Sequence, residues 1–189
     1  MRNLHDKTVI VTGGGGGIGG ATCRRFAEEG AKVAVFDLNL DAAQQVAGAI
    51  VAAGGTARAY RCDITDRAGV DAAVAAAEAD LGPIAVLVNN AGWDVFKPFV
   101  KTVPAEWERL IAINLVGALH MLHAVLPGMA ERKSGRIVNV GSRGAYRGEP
   151  DIPAYGASKA GLHAFGQSMA QRLAPHGIAV TTIAPGFIA

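Results

Sequence analysis

Cysteine is scarce in this chain, with Cys23 and Cys62 the only two in 189 residues. One falls in a helical pattern and the other at a strand end, without a partner at metal-ligand spacing, so small buried thiols are expected rather than a metal site. Charge of one sign is equally lacking. The 18 basic and 16 acidic residues are scattered and leave a net charge of +2, with no Lys/Arg stripe of the kind nucleic-acid binding requires. Long apolar runs are also missing: the longest are strand-sized, which implies no membrane span. The amino terminus carries charges before its first apolar run and does not have secretory-signal form, so a soluble, cytoplasmic protein is expected. Half the residues are hydrophobic and only 18% are charged, which excludes a disordered chain. No linker, repeat or low-complexity tract divides the sequence, and residues 1–189 read as a single domain.

What is present is a regular alternation. The β-branched run at 8–12 is followed by a glycine cluster and a helical pattern over 18–29. Strands at 32–36 and 57–61 then alternate with helices at 41–53 and 67–81, and Gly30, Gly54-Gly55 and Gly82-Pro83 mark helix ends. Apolar runs at 84–88, 136–140 and 178–183 read as buried strands, separated by long helices over 104–132 and 153–174. Right-handed crossovers between parallel strands place helices on both faces. The expected fold is therefore α/β: a Rossmann-type, doubly wound parallel sheet of order 3-2-1-4-5-6.

Residues 12–19 read TGGGGGIG between the first strand and its helix, where Gly13, Gly17, Ile18 and Gly19 form a turn suited to phosphate. Glycines let the backbone approach a pyrophosphate, and the helix amides bind it without a basic side chain. Asp37 closes the second strand, from which a carboxylate reaches the adenosine ribose hydroxyls. It would repel a 2′-phosphate, and Leu38 and Asn39 rather than arginine follow it, so NAD is expected over NADP. The alternative is that Asp37 caps a helix or turn. Asp63 and Asn89-Asn90-Ala91-Gly92 also lie at carboxyl ends of strands, the ligand-binding edge of such sheets.

Taken together, the glycine turn, NNAG at 89–92, Ser142, YxxxK at 155–159 and Pro185-Gly186 resemble the short-chain dehydrogenase/reductase family, over the chain from Lys7 onward. The resemblance implies that Asp63 holds the adenine amino group, that Asn90 supports the nicotinamide-side ribose, that Ile188 backbone groups meet the carboxamide, and that Ala91, Gly92, Pro185 and Gly186 also bind the cofactor. Through about Val140 the chain resembles the branch acting on 2-hydroxycyclohexanecarboxyl-CoA, and from Gly141 another branch. The family pattern continues with a lid and a seventh strand beyond the point where this sequence stops, so a C-terminally incomplete domain is expected.

Tyr155 and Lys159 are one helical turn apart and share a face. Lowering a phenol pKa from ~10 to ~7 requires about 4 kcal/mol. One ammonium at ~4 Å supplies roughly that at an effective dielectric of ~20, so Tyr155 is expected to act as general acid or base. By resemblance, Lys159 also bonds the nicotinamide ribose and Ser142 polarises the substrate oxygen. Asn114 falls within the apolar stripe of the helix over 104–132. The resemblance gives it a water that relays protons from the lysine; the alternative is a satisfied core amide at a helix irregularity. His120 and His123 lack a third ligand and read as an interface or surface pair. Trp93, Asp94, Phe96, Arg143, Arg147, Glu149 and Asp151 are expected to border the substrate cleft.

The function implied is hydride transfer between NAD(H) and a secondary alcohol or ketone, with a hydroxyacyl-CoA as one candidate substrate and a homodimer or homotetramer as the assembly. The competing readings are an NAD-binding sensor or assembly protein without turnover, and a structural subunit associating through the helices around Trp107 and Phe165.

Overall fold

The computed structural model describes residues 4–186. Along the chain run β1 (Thr8–Thr12), α1 (Gly17–Glu28), β2 (Lys32–Asp37), α2 (Leu40–Ala52), β3 (Thr56–Arg61), α3 (Arg67–Leu81) and β4 (Ile84–Asn89). They are followed by α4 (Pro104–Ile111), α5 (Gly117–Glu131), β5 (Gly135–Val140), α6 (Gly144–Arg147), α7 (Pro153–Leu173) and β6 (Ile178–Ile183). All pairings are parallel and the order is β3-β2-β1-β4-β5-β6, as the alternation requires.

Strand periodicity separates two cores. Ile10, Ala34, Phe36, Leu87 and Ile137 face α3, α5 and α7. Val9, Val11, Val33, Val35 and Val88 face α1 and α2. Because both faces of the central strands are dry, their sequences are continuously apolar rather than alternating. The order reverses between β1 and β4, which leaves a crevice at the carboxyl edge where their loops diverge.

The helix expected over 104–132 runs over Pro104–Glu131, with a π-helical turn, Ala112–Val116, joining α4 to α5. Tertiary bonds from the buried Asn114 side chain accompany this departure from the regular ladder. The combined stretch Pro104–Glu131 is also long and apolar enough to cross a membrane, contrary to the strand-sized runs read from sequence. Its Leu110, Ala118, Met121, Leu122, Val125 and Met129 are buried, and most of them join the sheet core, which is why an amphipathic covering helix becomes so apolar.

The aromatic residues proposed for association are engaged within the subunit. Trp107 stacks on Phe99 at 5.2 Å and donates from Nε1 to Thr102 Oγ1, while Phe165 packs on the core. His120 Nδ1 lies 3.0 Å from the Ile64 carbonyl, and His123 is exposed on the surface. Cys23 and Cys62 are buried, as expected. No cluster able to hold a metal occurs among the described residues.

Gly177 leads into β6 with φ 70°, and a Cβ there would meet the Lys133 carbonyl oxygen at 2.2 Å. Gly177→Ala is expected to cost at least about 2 kcal/mol through strain and overpacking. Urea denaturation checks this, and a loss below about 0.5 kcal/mol contradicts it.

Candidate active site

The glycine turn is shaped by contacts that admit no side chain. A Cβ on Gly19 would lie 2.0 Å from the Gly13 carbonyl oxygen, and one on Gly15 would lie 2.9 Å from Asp37 Oδ2. Gly16 and Gly17 open onto free space. Gly16 caps α1 without a side-chain bond, so the first amides of that helix face outward as donors. The turn is tied to β2 by Gly14 N–H donating to the Phe36 carbonyl and Gly15 N–H donating to Asp37 Oδ2.

Asp37 Oδ1 accepts from Asn39 N–H, and Asn39, not Asp37, caps α2. The carboxylate therefore joins the turn and remains on the wall of a cavity of about 510 Å³. Gly13, Gly16, Ile18, Asp63, Asn90 and Arg109 also line it. Asp63 accepts from the amide and hydroxyl of Thr65, which hold its carboxyl below the usual range. A polar crevice beside a glycine turn with unpaired helix amides fits a dinucleotide in size and donor character.

A second cavity of about 410 Å³ shares Ile18, Asn90, Gly92 and Trp93 with the first. Ser142, Tyr155, Lys159, Pro185 and Gly186 stand on its walls. The two cavities make one cleft that brings most of the predicted residues together, although Gly17 and Gly19 line neither. The exceptions are informative. Ala91 lines the first cavity only. Asn90 directs its amide away from the opening, donating to the carbonyls of Thr12 (2.8 Å) and Gly13 (3.2 Å). Asn114 stands behind the wall: its Oδ1 accepts from Trp93 N–H, while its Nδ2 donates to the Trp93 carbonyl and to Ser158 Oγ. Both amide hydrogens are thus bonded and Oδ1 accepts one bond, leaving it a second lone pair; Oδ1 and Lys159 Nζ would both lie within 3.4 Å of a Cβ placed on Gly92. Ile188 lies outside the described residues.

Lys159 is only 3% exposed, and its ammonium donates to the Val140 carbonyl at 2.9 Å. Burial lowers its pKa to about 8. The phenol departs from expectation, since the Tyr155 pKa is raised rather than lowered. Burial is the main cause; a hydrogen bond with Ser142 opposes it and the nearby Asp94 charge adds to it. Lys159 Nζ is 5.8 Å from the Tyr155 ring centre, and its hydrogen bond is to Val140.

Of the residues expected around the substrate, Trp93, Asp94, Arg143 and Glu149 border the cleft. Phe96 is 69% exposed, and neither it nor Arg147 joins these walls, while Asp151 lines a separate small cavity. Sequence reasoning missed Arg109, whose guanidinium lies 4.2 Å over the Trp93 ring, because nothing in the spacing links α4 to that loop. It also missed Thr12 as the residue joining two loops, and the Val140 carbonyl as the partner of Lys159.

Residues 7–189 match the short chain dehydrogenase family, and the chain belongs to it. It is an oxidoreductase of the class that moves a hydride between a nicotinamide cofactor and an alcohol or ketone. It is 40% identical to a sorbitol dehydrogenase of Cereibacter sphaeroides, over 98% of this chain and 72% of that protein. A galactitol 2-dehydrogenase of Agrobacterium fabrum is 39% identical over the same shares. Among solved structures, an NAD+-bound xylitol dehydrogenase superimposes with a TM-score of 0.96 at 38% identity, covering 100% of this chain and 73% of that one. A metagenomic short-chain oxidoreductase in complex with NADP gives 0.92 at 36% identity, covering 98% and 84%.

Because the folded pKa of Lys159 is about 8 against an ordinary 10.5, the unfolded chain holds more protons between these values. Lys159 therefore makes stability rise with pH across that window, by an amount of order 3 kcal/mol. Lys159→Met is expected to remove the rise when denaturation curves of variant and parent are compared from pH 7 to 11; parallel stability profiles contradict it.

Proposed function

We propose that this chain is an NAD-dependent dehydrogenase/reductase of a secondary alcohol and its ketone, with Tyr155 as general acid and base. The observation carrying this is the continuous cleft that leads from the glycine turn past Asn90, Gly92 and Trp93 to Ser142, Tyr155 and Lys159. Residues 1–189 act as one catalytic domain in this reading, which carries with it a cytoplasmic homodimer or homotetramer.

The first amides of α1 bind the pyrophosphate, Asp37 takes the adenosine ribose hydroxyls and Asp63 the adenine amino group. The half-buried Asp37 charge supports NAD over NADP, whose added phosphate it repels. Asn90 holds the turn in shape, and Ala91, Gly92, Pro185 and Gly186 flank the nicotinamide end. A bound nicotinamide would supply the hydride acceptor for oxidation and the hydride donor for reduction. Ser142 donates to the substrate oxygen and shares a hydrogen bond with Tyr155. In oxidation the carbinol hydrogen leaves with its electron pair, the hydroxyl proton passes to the Tyr155 phenolate and the C=O bond forms. Reduction reverses each movement, with neutral Tyr155 giving its proton to the nascent alkoxide. Lys159 supplies positive charge below its pKa of about 8 and bonds the ribose. Asn114 fixes the Trp93 backbone and, through Oδ1, offers an acceptor to a water between itself and Lys159.

Relatives named for sorbitol and galactitol support a polyol substrate, and an acetoacetyl-CoA reductase of Synechocystis, 37% identical, keeps hydroxyacyl-CoAs in the comparison. The test is a panel of polyols, simple secondary alcohols and hydroxyacyl-CoAs with NAD and with NADP, followed by absorbance of the reduced cofactor. Turnover is expected with NAD at least tenfold above NADP. Oxidation is expected to accelerate toward alkaline pH, because the raised Tyr155 pKa makes phenolate scarce at neutrality. Tyr155→Phe is expected to lower kcat by at least about 10²-fold while leaving NAD affinity within a few-fold. Undiminished turnover in that variant refutes the assigned role. NAD binding without hydride transfer to any alcohol indicates a sensor or assembly protein instead.

A further inference from the structure

One charged group at the reactive end of the cleft has no part in the chemistry just described. Asp94 follows Trp93 in the loop after β4 and lines both cavities that meet at Ser142 and Tyr155. Its Oδ1 accepts from Val95 N–H at 2.6 Å, which orients the carboxylate on its own backbone. Oδ2 has no hydrogen-bond partner among the described residues. Across the smaller cavity, of about 150 Å³, stand Arg143 and Glu149, whose charged groups are 3.6 Å apart.

We propose that Asp94 sets the substrate class by accepting a hydrogen bond from a hydroxyl on the carbon beside the reacting carbinol, so that the site takes neutral polyhydric alcohols. The inference rests on the dehydrogenase reading of Ser142, Tyr155 and Lys159. A carboxylate only accepts, so it rewards a neighbouring hydroxyl and repels the carbonyl lone pairs of a thioester. The groups facing it are Tyr155 and Lys159 from α7, and Arg143 and Glu149 beyond Ser142. Lys159 and Arg143 offset the charges of Asp94 and Glu149, so the site suits a neutral substrate, and a polyol offers donors to Asp94 and Glu149 and acceptors to Arg143. The same charge bears on the phenol: Asp94 is one of the groups that hold the Tyr155 hydroxyl above its ordinary value, so its removal makes phenolate easier to form.

The experiment measures kcat/KM with NAD for propylene glycol, isopropanol and isopropanolamine, on the parent and on Asp94→Ala and Asp94→Asn, from pH 6 to 10. The parent is expected to favour the glycol over isopropanol at least tenfold. Asp94→Ala reduces that preference by roughly 10- to 100-fold, the range for a hydrogen bond to a charged group. In both variants the acid limb of the oxidation profile moves to lower pH, a shift that a merely structural role would not produce. Should the alanine variant fail to fold, the asparagine variant still removes the charge, and an unmoved acid limb there overturns the proposal. A preference for the amino alcohol, or an unchanged glycol-to-isopropanol ratio in a folded Asp94→Ala protein, also overturns it. Turnover of other alcohols without a glycol preference overturns this proposal alone. No oxidation of any alcohol removes the dehydrogenase reading as well.

Discussion

A single buried hydroxyl joins the two halves of the cleft. Thr12, at the end of β1 and 1% exposed, donates to the Val88 carbonyl and accepts from the amides of both Asn90 and Ala91. Asn90 answers by donating to the carbonyls of Thr12 and Gly13. The glycine turn and the loop after β4 diverge from adjacent strands at the point where the sheet order reverses, and these bonds tie the two together. Every wall residue shared by the two cavities of the cleft except Ile18 lies on that second loop, in Asn90, Gly92 and Trp93.

From this join the chemistry follows by enclosure. Asn114 continues the fixation outward by clamping both backbone polar atoms of Trp93, and the π-turn around it is the local irregularity that accompanies this contact. Lys159 arrives from α7 and lies buried against Val140 in a setting that weakens its hold on the proton. Burial acts oppositely on the two titratable groups, lowering the ammonium and raising the phenol toward their neutral forms. The protein by itself therefore keeps Tyr155 protonated, the state suited to giving a proton. The positive charge of an oxidised nicotinamide is the added influence that would favour proton acceptance.

Much of this was legible in the residues. Continuous β-branched runs flanked by glycine fixed the strands, and parallel order followed from handedness alone. The glycine turn and NNAG lie at carboxyl ends of strands, and the resemblance to the short-chain dehydrogenase/reductase family singles out Ser142, Tyr155 and Lys159. What remained hidden depended on side-chain direction. Helical spacing put Lys159 beside Tyr155 but could not show that the ammonium turns to a strand carbonyl. An asparagine in an apolar stripe demanded partners but did not name Trp93. Arg109 over Trp93 joins a helix and a loop with no periodic relation, and the apolar character of Pro104–Glu131 was masked by the polar residues interrupting it.

The central claim is that the bonds around Thr12 and Asn90 hold the dinucleotide crevice in register with the Ser142, Tyr155 and Lys159 site. It is tested most directly by titrating NAD into Asn90→Ala by calorimetry, with the melting temperature recorded alongside. The account predicts a variant that still unfolds cooperatively yet binds NAD at least about tenfold more weakly, the equivalent of 1.4 kcal/mol. Affinity equal to the parent's would show that the glycine turn keeps its shape without this bridge, and would contradict it.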